Sequence, residues 1–211
     1  MRRHASRLAW IFLLAACDGG GSLDAGLAPV DAPVADAGPP PFWPSTLPSA
    51  ASLGTRRGRA IARTTVHVHS PLSHDACDGS GWIEGRLAQP ECLANFRAAL
   101  CALHVDAAMM TDHSPHVDEV DFERALWIEG DDEPVRAEGE VVANRMACPD
   151  GHRVLLTVRS ENELMPIGLR RHPVDPSGAR VLADLYEGRD ADAVAAFRAA
   201  GALIWQAHTE G

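Results

Sequence analysis

Ile61-Ala62-Arg63-Thr64-Thr65-Val66-His67-Val68-His69 is the stretch on which the reading of the fold turns. It is rich in β-branched residues, and a strand sends successive side chains to opposite faces. A period of two therefore groups Val66 with Val68 on one face and His67 with His69 on the other. At the rise of a strand the two imidazoles leave the backbone about 6.6 Å apart, a spacing from which both rings can converge on one cation or on two adjacent ones. An H-x-H also arises by chance in cores and on surfaces, so the neighbouring elements have to decide its meaning.

Downstream, Pro90 opens a helix running through His104, with Leu93, Phe96, Leu100 and Leu103 at helical spacing. Val105 to Thr111 is a short apolar run of the kind a buried strand shows, and the pattern from Asp118 to Ile128 predicts a second helix. Glu140 to Ala147 and Arg153 to Arg159 read as two strands joined by the turn Cys148-Pro149-Asp150-Gly151. Asp192 to Ala200 is an Ala-rich helix, and Ala202 to Ala207 is a strand ending at His208. A β-hairpin set within a β-α repeat makes the class α/β.

The chain has 211 residues, 46% of them apolar, and a formal net charge of −10. That balance disfavours a broad basic face for nucleic acid. All 19 cationic side chains are arginine. The absence of lysine excludes Schiff-base chemistry, a phosphate-loop lysine and a carbamylated-lysine metal bridge. Ten histidines point instead toward metal ligation or general-base work.

Residues 1–17 read as a targeting segment: Arg2, Arg3 and Arg7 precede the apolar run Leu8 to Ala16, which is too short for a stable membrane span. Leu14-Ala15-Ala16-Cys17 resembles the lipobox of bacterial lipoproteins, which implies lipidation of Cys17 and a lipid-anchored place in the cell envelope; an ordinary secretory signal is the alternative. Residues 18–58, rich in Gly, Ala, Pro, Asp and Ser, read as a disordered tether spanning roughly 35 Å. The domain proper would then cover 59–211. Setting Cys17 aside leaves Cys77, Cys92, Cys101 and Cys148, which suits two disulfides in an exported protein, with three possible pairings.

His67, His69, His113 and His208 all fall at or just past the C-terminal ends of expected strands, where α/β folds collect functional side chains. His67-Val68-His69, Thr111-Asp112-His113, Glu161 and Ala207-His208 together resemble the PHP family, the polymerase and histidinol phosphatase superfamily of metal-dependent phosphoesterases. The resemblance implies a distorted βα barrel of seven strands, of which about five are written between Thr64 and Gly211. The family's final Asp-x-His would fall beyond Gly211, so the expectation is either a fragment of a longer protein or a shortened member.

The resemblance also implies roles. His67, His69, His113, His172 and His208 would be metal ligands, and Glu161 would bridge two ions and take part in catalysis, with Glu163 as its substitute. His74 is the first choice for a further ligand, with Asp75 and Asp78 as alternatives. Asp112 would orient a ligating imidazole in the catalytic centre. Two or three divalent ions are implied, Zn2+ or Mn2+ by ligand type, or else Fe2+. They would activate water against a small phosphorylated substrate, with contact to a membrane only through the N-terminal lipid. Two other readings stay open: an amidohydrolase-like metal hydrolase, and an envelope lipoprotein that binds metal without turnover. Arg170 and Arg171 read as surface before phosphate clamps, His104 and His152 as helix-end and turn residues, His116 as solvated, and Asp131-Asp132-Glu133 as an acidic, solvent-facing loop.

Overall fold

A computed structural model describes residues 46–162 and 164–206. Cys17, Glu163 and His208 lie outside the described residues. Order begins early in this range. The Leu47 N–H donates to the Ala102 carbonyl, a single 3-10 turn covers Ala50–Leu53, and a small hairpin pairs β1 (Thr55–Arg56) with β2 (Arg59–Ala60).

β3 (Thr64–Val68) is the expected first strand. After it a second small hairpin pairs β4 (Trp82–Ile83) with β5 (Arg86–Leu87), and α1 (Pro90–Ala102) follows. Pro90 sits in the first turn of α1, where its missing N–H costs nothing, and Leu93 and Leu100 are buried beneath the helix. Next come β6 (Ala107–Asp112), β7 (Glu133–Ala137), β8 (Glu140–Ala147) and β9 (Arg153–Ser160). The described chain closes with β10 (Leu164–Ile167), α2 (Leu182–Tyr186), α3 (Ala191–Ala199) and β11 (Leu203–Gln206).

Five of the strands form one sheet in the order β3-β6-β9-β8-β7. β3, β6 and β9 run parallel, whereas β8 and β7 add antiparallel to β9. β10 and β11 pair only with each other, antiparallel. The expectation of a βα barrel is thus corrected: strands predominate, and no barrel closes among the described residues. The chain between β6 and β9 makes the difference, since it spends its length on an antiparallel hairpin where a barrel needs a helix and another parallel strand.

The helix expected over 118–128 is also absent; turns and one 3-10 turn at Arg124–Leu126 take its place. Val120, Phe122, Ala125, Leu126 and Trp127 are all buried, a spacing that no single helical stripe could bury, and Trp127 ends the turn in the left-handed region. β7 begins at Glu133, inside the acidic run expected as a solvent-facing loop. Its neighbour Asp132 is no solvent-facing acid, because its side chain is wholly inaccessible and clamped by Arg97.

One apolar cluster joins Leu93 and Leu100 of α1 to Ala108 and Met110 of β6, Met146 of β8 and Leu156 and Val158 of β9. Among the described residues no helix is long and apolar enough to cross a membrane.

Two disulfides resolve the pairing: Cys77–Cys92 ties the loop after β3 to the start of α1, and Cys101–Cys148 ties the end of α1 to the β8–β9 turn. Converting Cys77 and Cys92 to serine is expected to lower the unfolding free energy by about 3 kcal/mol, the chain-entropy value for a loop of this size. Urea titration of the double variant checks it; an unchanged midpoint would mean that the loop is already closed in the unfolded chain.

Candidate metal centre

Three parallel strands end side by side, and each hands a ligand-type residue to the same place. His69 follows Val68 of β3, His113 follows Asp112 of β6, and Glu161 follows Ser160 of β9. Val68 is registered against Met110, and Asp112 against Ser160, so these C-terminal ends are neighbours in the sheet. The regular alternation expected of β3 does not hold. Three steps of β3, from Thr65 to Val68, run against two of β6, from Ala108 to Met110, which marks a bulge. Val66 is accordingly exposed at 57% while Val68 packs partly against the core, and His67 turns to meet His69.

The Nε2 atoms of His67 and His69 lie 3.2 Å apart, and each faces Glu161 Oε2, at 2.5 Å and 2.7 Å. Two nitrogens bound tetrahedrally to one Zn2+ stand roughly 3.3 Å apart, given Zn–N bonds of about 2.05 Å. The separation therefore fits joint ligation. His69 turns its other nitrogen, Nδ1, to Asp75 Oδ1 at 2.7 Å, the carboxylate–imidazole pairing that fixes the ring of a metal-bound histidine. His113 Nδ1–H donates to the Glu161 carbonyl at 2.8 Å, which leaves the Nε2 lone pair facing Asp75 Oδ2 at 3.6 Å and Glu161 Oε2 at 3.7 Å.

Among the described residues two groups of side chains could hold a metal ion: His67, His69 and Glu161, and His69, Asp75 and His113. The donors are imidazole nitrogen and carboxylate oxygen throughout, a set suited to first-row divalent ions.

The electrostatics follow from this crowding. Burial works to push the Glu161 carboxyl up, but the hydrogen bond from His69 and the nearby His67 and His113 outweigh it and hold the carboxyl below its usual range. Burial likewise works to lower His69, and the Glu161 and Asp75 carboxylates reverse it, leaving the imidazole raised. Asp75, against the effect of its own partial burial, is held at about 2 by the Ser73 hydroxyl and His69.

Several expected residues stand elsewhere. His74 is exposed; its ring centroid lies 5.0 Å from that of His113, but it joins neither group, and Asp75 takes the position instead. The exposed Asp78 also stays out, its backbone carbonyl accepting from Gln89. His172 is no ligand: Nε2–H donates to the Val120 carbonyl at 2.8 Å and Nδ1 pairs with the Tyr186 hydroxyl at 2.9 Å, so both nitrogens are used inside the fold. Burial lowers its pKa, in keeping with a neutral structural ring. Arg170 meets Glu138 and Arg171 meets the Ala199 carbonyl, both exposed. His116 pairs with Glu119, His104 with Asp150, and His152 with the Val105 carbonyl.

Asp112 is buried beneath the site but orients no imidazole among the described residues. It accepts the backbone N–H of Ser70 at 2.6 Å and the Ser70 hydroxyl at 2.8 Å, pinning the turn that carries the chain out of His69. Burial pushes its pKa up to about 6 against those hydrogen bonds. The Trp127 indole N–H donates to the Ser70 hydroxyl, and the Ser73 hydroxyl meets Asp75 Oδ1 at 2.6 Å. Ser70, Ser73 and Trp127 escaped the sequence reading, since Ser70-Pro71-Leu72-Ser73 looks like any polar turn.

The fold and the site together define a mixed-sheet domain with a candidate metal centre at the C-terminal ends of its parallel strands. Comparison with family models, with curated proteins and with solved structures gives no match.

Proposed function

We propose that this chain is a metal-dependent hydrolase of phosphate monoesters. The observation that carries the reading is the convergence of His67, His69, Asp75, His113 and Glu161, drawn from three separate stretches of the chain, on one cluster of facing donor atoms. The H-x-H, T-D-H and glutamate motifs shared with the PHP family supply the phosphoester class. The metals are zinc or manganese, or else iron(II), in a cluster of two or three. Bound there, they would supply Lewis-acid binding of phosphoryl oxygens and a more acidic water.

The protein's own groups do the rest. Glu161 offers one carboxylate to three imidazoles and so suits a bridging position. The hydrogen bonds of His69 to Asp75 and of His113 to the Glu161 carbonyl fix the tautomers that leave Nε2 of each ring available. The lipobox resemblance at Cys17 supports export and a lipid anchor at a bacterial envelope.

Elemental analysis of the protein purified with Zn2+ or Mn2+, alongside phosphate release from phenyl phosphate, tests the reading. His67→Ala and His113→Ala are each expected to lower bound metal and phosphate release together, by about tenfold or more. Metal content unchanged in both would reject the assignment; full metal content with no hydrolysis of any phosphate ester would leave a metal-binding protein without this activity.

A further inference from the structure

Beside the candidate metal centre lies a cavity of about 270 Å³, lined by Val66, Met109, Met165, Ile167 and Trp205, with His67 and Glu161 shared between it and the metal centre, and with Arg159 in its wall. Away from the His67 and Glu161 end the walls are otherwise apolar, so a cation there calls for an explanation. Arg159 is only 2% exposed, and a guanidinium taken out of water is costly unless an anion meets it. No described carboxylate does. Nη1 donates to the Val66 carbonyl at 2.7 Å and approaches Met109 Sδ, while Nε reaches the Pro166 carbonyl at 3.4 Å. These partners are neutral, and Nη2 has none among the described residues.

The position also matters. Arg159 and Glu161 sit two residues apart at the end of β9, so a ligand held at the metal centre by Glu161 and His67 would extend directly over Arg159. Binding pockets for small molecules are typically apolar with a few placed polar groups that fix orientation, and this cavity has that make-up.

We propose that this cavity is the substrate pocket, and that it takes the organic part of the substrate as an apolar body ending in a carboxylate, which the Arg159 guanidinium meets. A carboxylate fits better than a second phosphate, because two of the three guanidinium nitrogens are already committed and only Nη2 is left to donate. The proposal rests on the hydrolase reading for the reacting end of the substrate and on the cavity alone for the other end.

The test separates the two. The full chain loaded with Zn2+ is titrated with benzoate in a calorimeter, and phosphate release is compared for phenyl phosphate and 4-carboxyphenyl phosphate. Benzoate is expected to bind, and Arg159→Met to weaken it at least ~10-fold with metal content unchanged. The wild-type protein should also prefer the carboxylated ester in kcat/KM, and the variant should lose that preference. Ile167→Trp, which fills the cavity while leaving Arg159 and every metal donor unsubstituted, should weaken benzoate likewise with metal content unchanged, and stands in should Arg159→Met fail to fold. Benzoate that fails to bind, or that binds equally to both variants and so sits on the metal alone, overturns the proposal. Arg159-dependent benzoate binding without hydrolysis of either ester upholds the pocket and removes the phosphoesterase reading.

Discussion

Glu161→Ala is expected to abolish stoichiometric metal binding, with an affinity loss of more than ~100-fold and phosphoester hydrolysis lost with it. Even the groups that merely orient a ligand commonly cost 10- to 100-fold when removed. Glu161 is more central than that: its Oε2 faces the Nε2 atoms of His67, His69 and His113 at once. Its removal would leave no anion shared by all three imidazoles, Asp75 reaching only His69 and His113, and their positive charge on protonation would then oppose cation binding. Glu161→Gln keeps the shape and removes only the charge, so it should fail nearly as badly. Isothermal titration of the metal-free protein with Zn2+ measures both variants; affinity within threefold of wild type in either would show that the donors do not act on a common ion.

The second large effect concerns stability, at an ion pair outside the candidate metal centre. Asp132→Ala is expected to destabilise the fold by about 3–5 kcal/mol, the range for breaking one half of a buried charge pair. The Asp132 carboxylate receives both terminal nitrogens of Arg97, at 2.8 and 2.9 Å, together with the Asn144 amide and the Ala147 N–H. It thereby links α1 to β8.

Burial alone would push the Asp132 carboxyl up, but the Arg97 hydrogen bonds and the others outweigh it and hold it at about 2, against an ordinary value of 3.8. A carboxyl lowered in the folded state stabilises above its unfolded pKa and loses that contribution as pH falls through the folded one. About 2 kcal/mol should therefore disappear between pH 4 and pH 2 in the wild type, and the Asp132→Ala variant should lack that component of its acid unfolding. Parallel acid titrations of the two proteins, followed by circular dichroism, would show no difference in this window were the pair not formed.

How far the sequence carried can be seen element by element. β8 and β9 lie close to where the hairpin signal set them, because a Cys-Pro-Asp-Gly turn between two β-branched runs is a local cue. α1 and α3 were legible for a similar reason: a proline in the first turn of one and the alanine-rich run of the other are written in the helices themselves, although the Asp190 cap that starts α3 was not read. The stretch 118–128 misled because its apolar residues are legible locally and their burial is not: Val120, Phe122, Ala125, Leu126 and Trp127 would lie on opposite sides of a helix, and only the surrounding core shows that all of them are buried. Asp132 misled in the same way. An acidic triplet reads as solvated until Arg97, 35 residues away along the chain, is known to face it.

The sequence by itself determined the chemistry on offer: imidazoles and carboxylates at strand ends, arginine as the only fixed cation, and cysteines in even number beyond Cys17. It also placed His67, His69, His113 and Glu161 among the donors. Only the tertiary structure decided that Asp75 and not His74 meets them, that His172 and Asp112 hold the fold in place of metal and imidazole, and that the sheet is mixed and no barrel closes. The reason is that residue type and local period are carried by neighbours in the chain, whereas ligand geometry and strand order depend on which distant segments pack together, and the bulge in β3 and the antiparallel hairpin ahead of β9 settle that here.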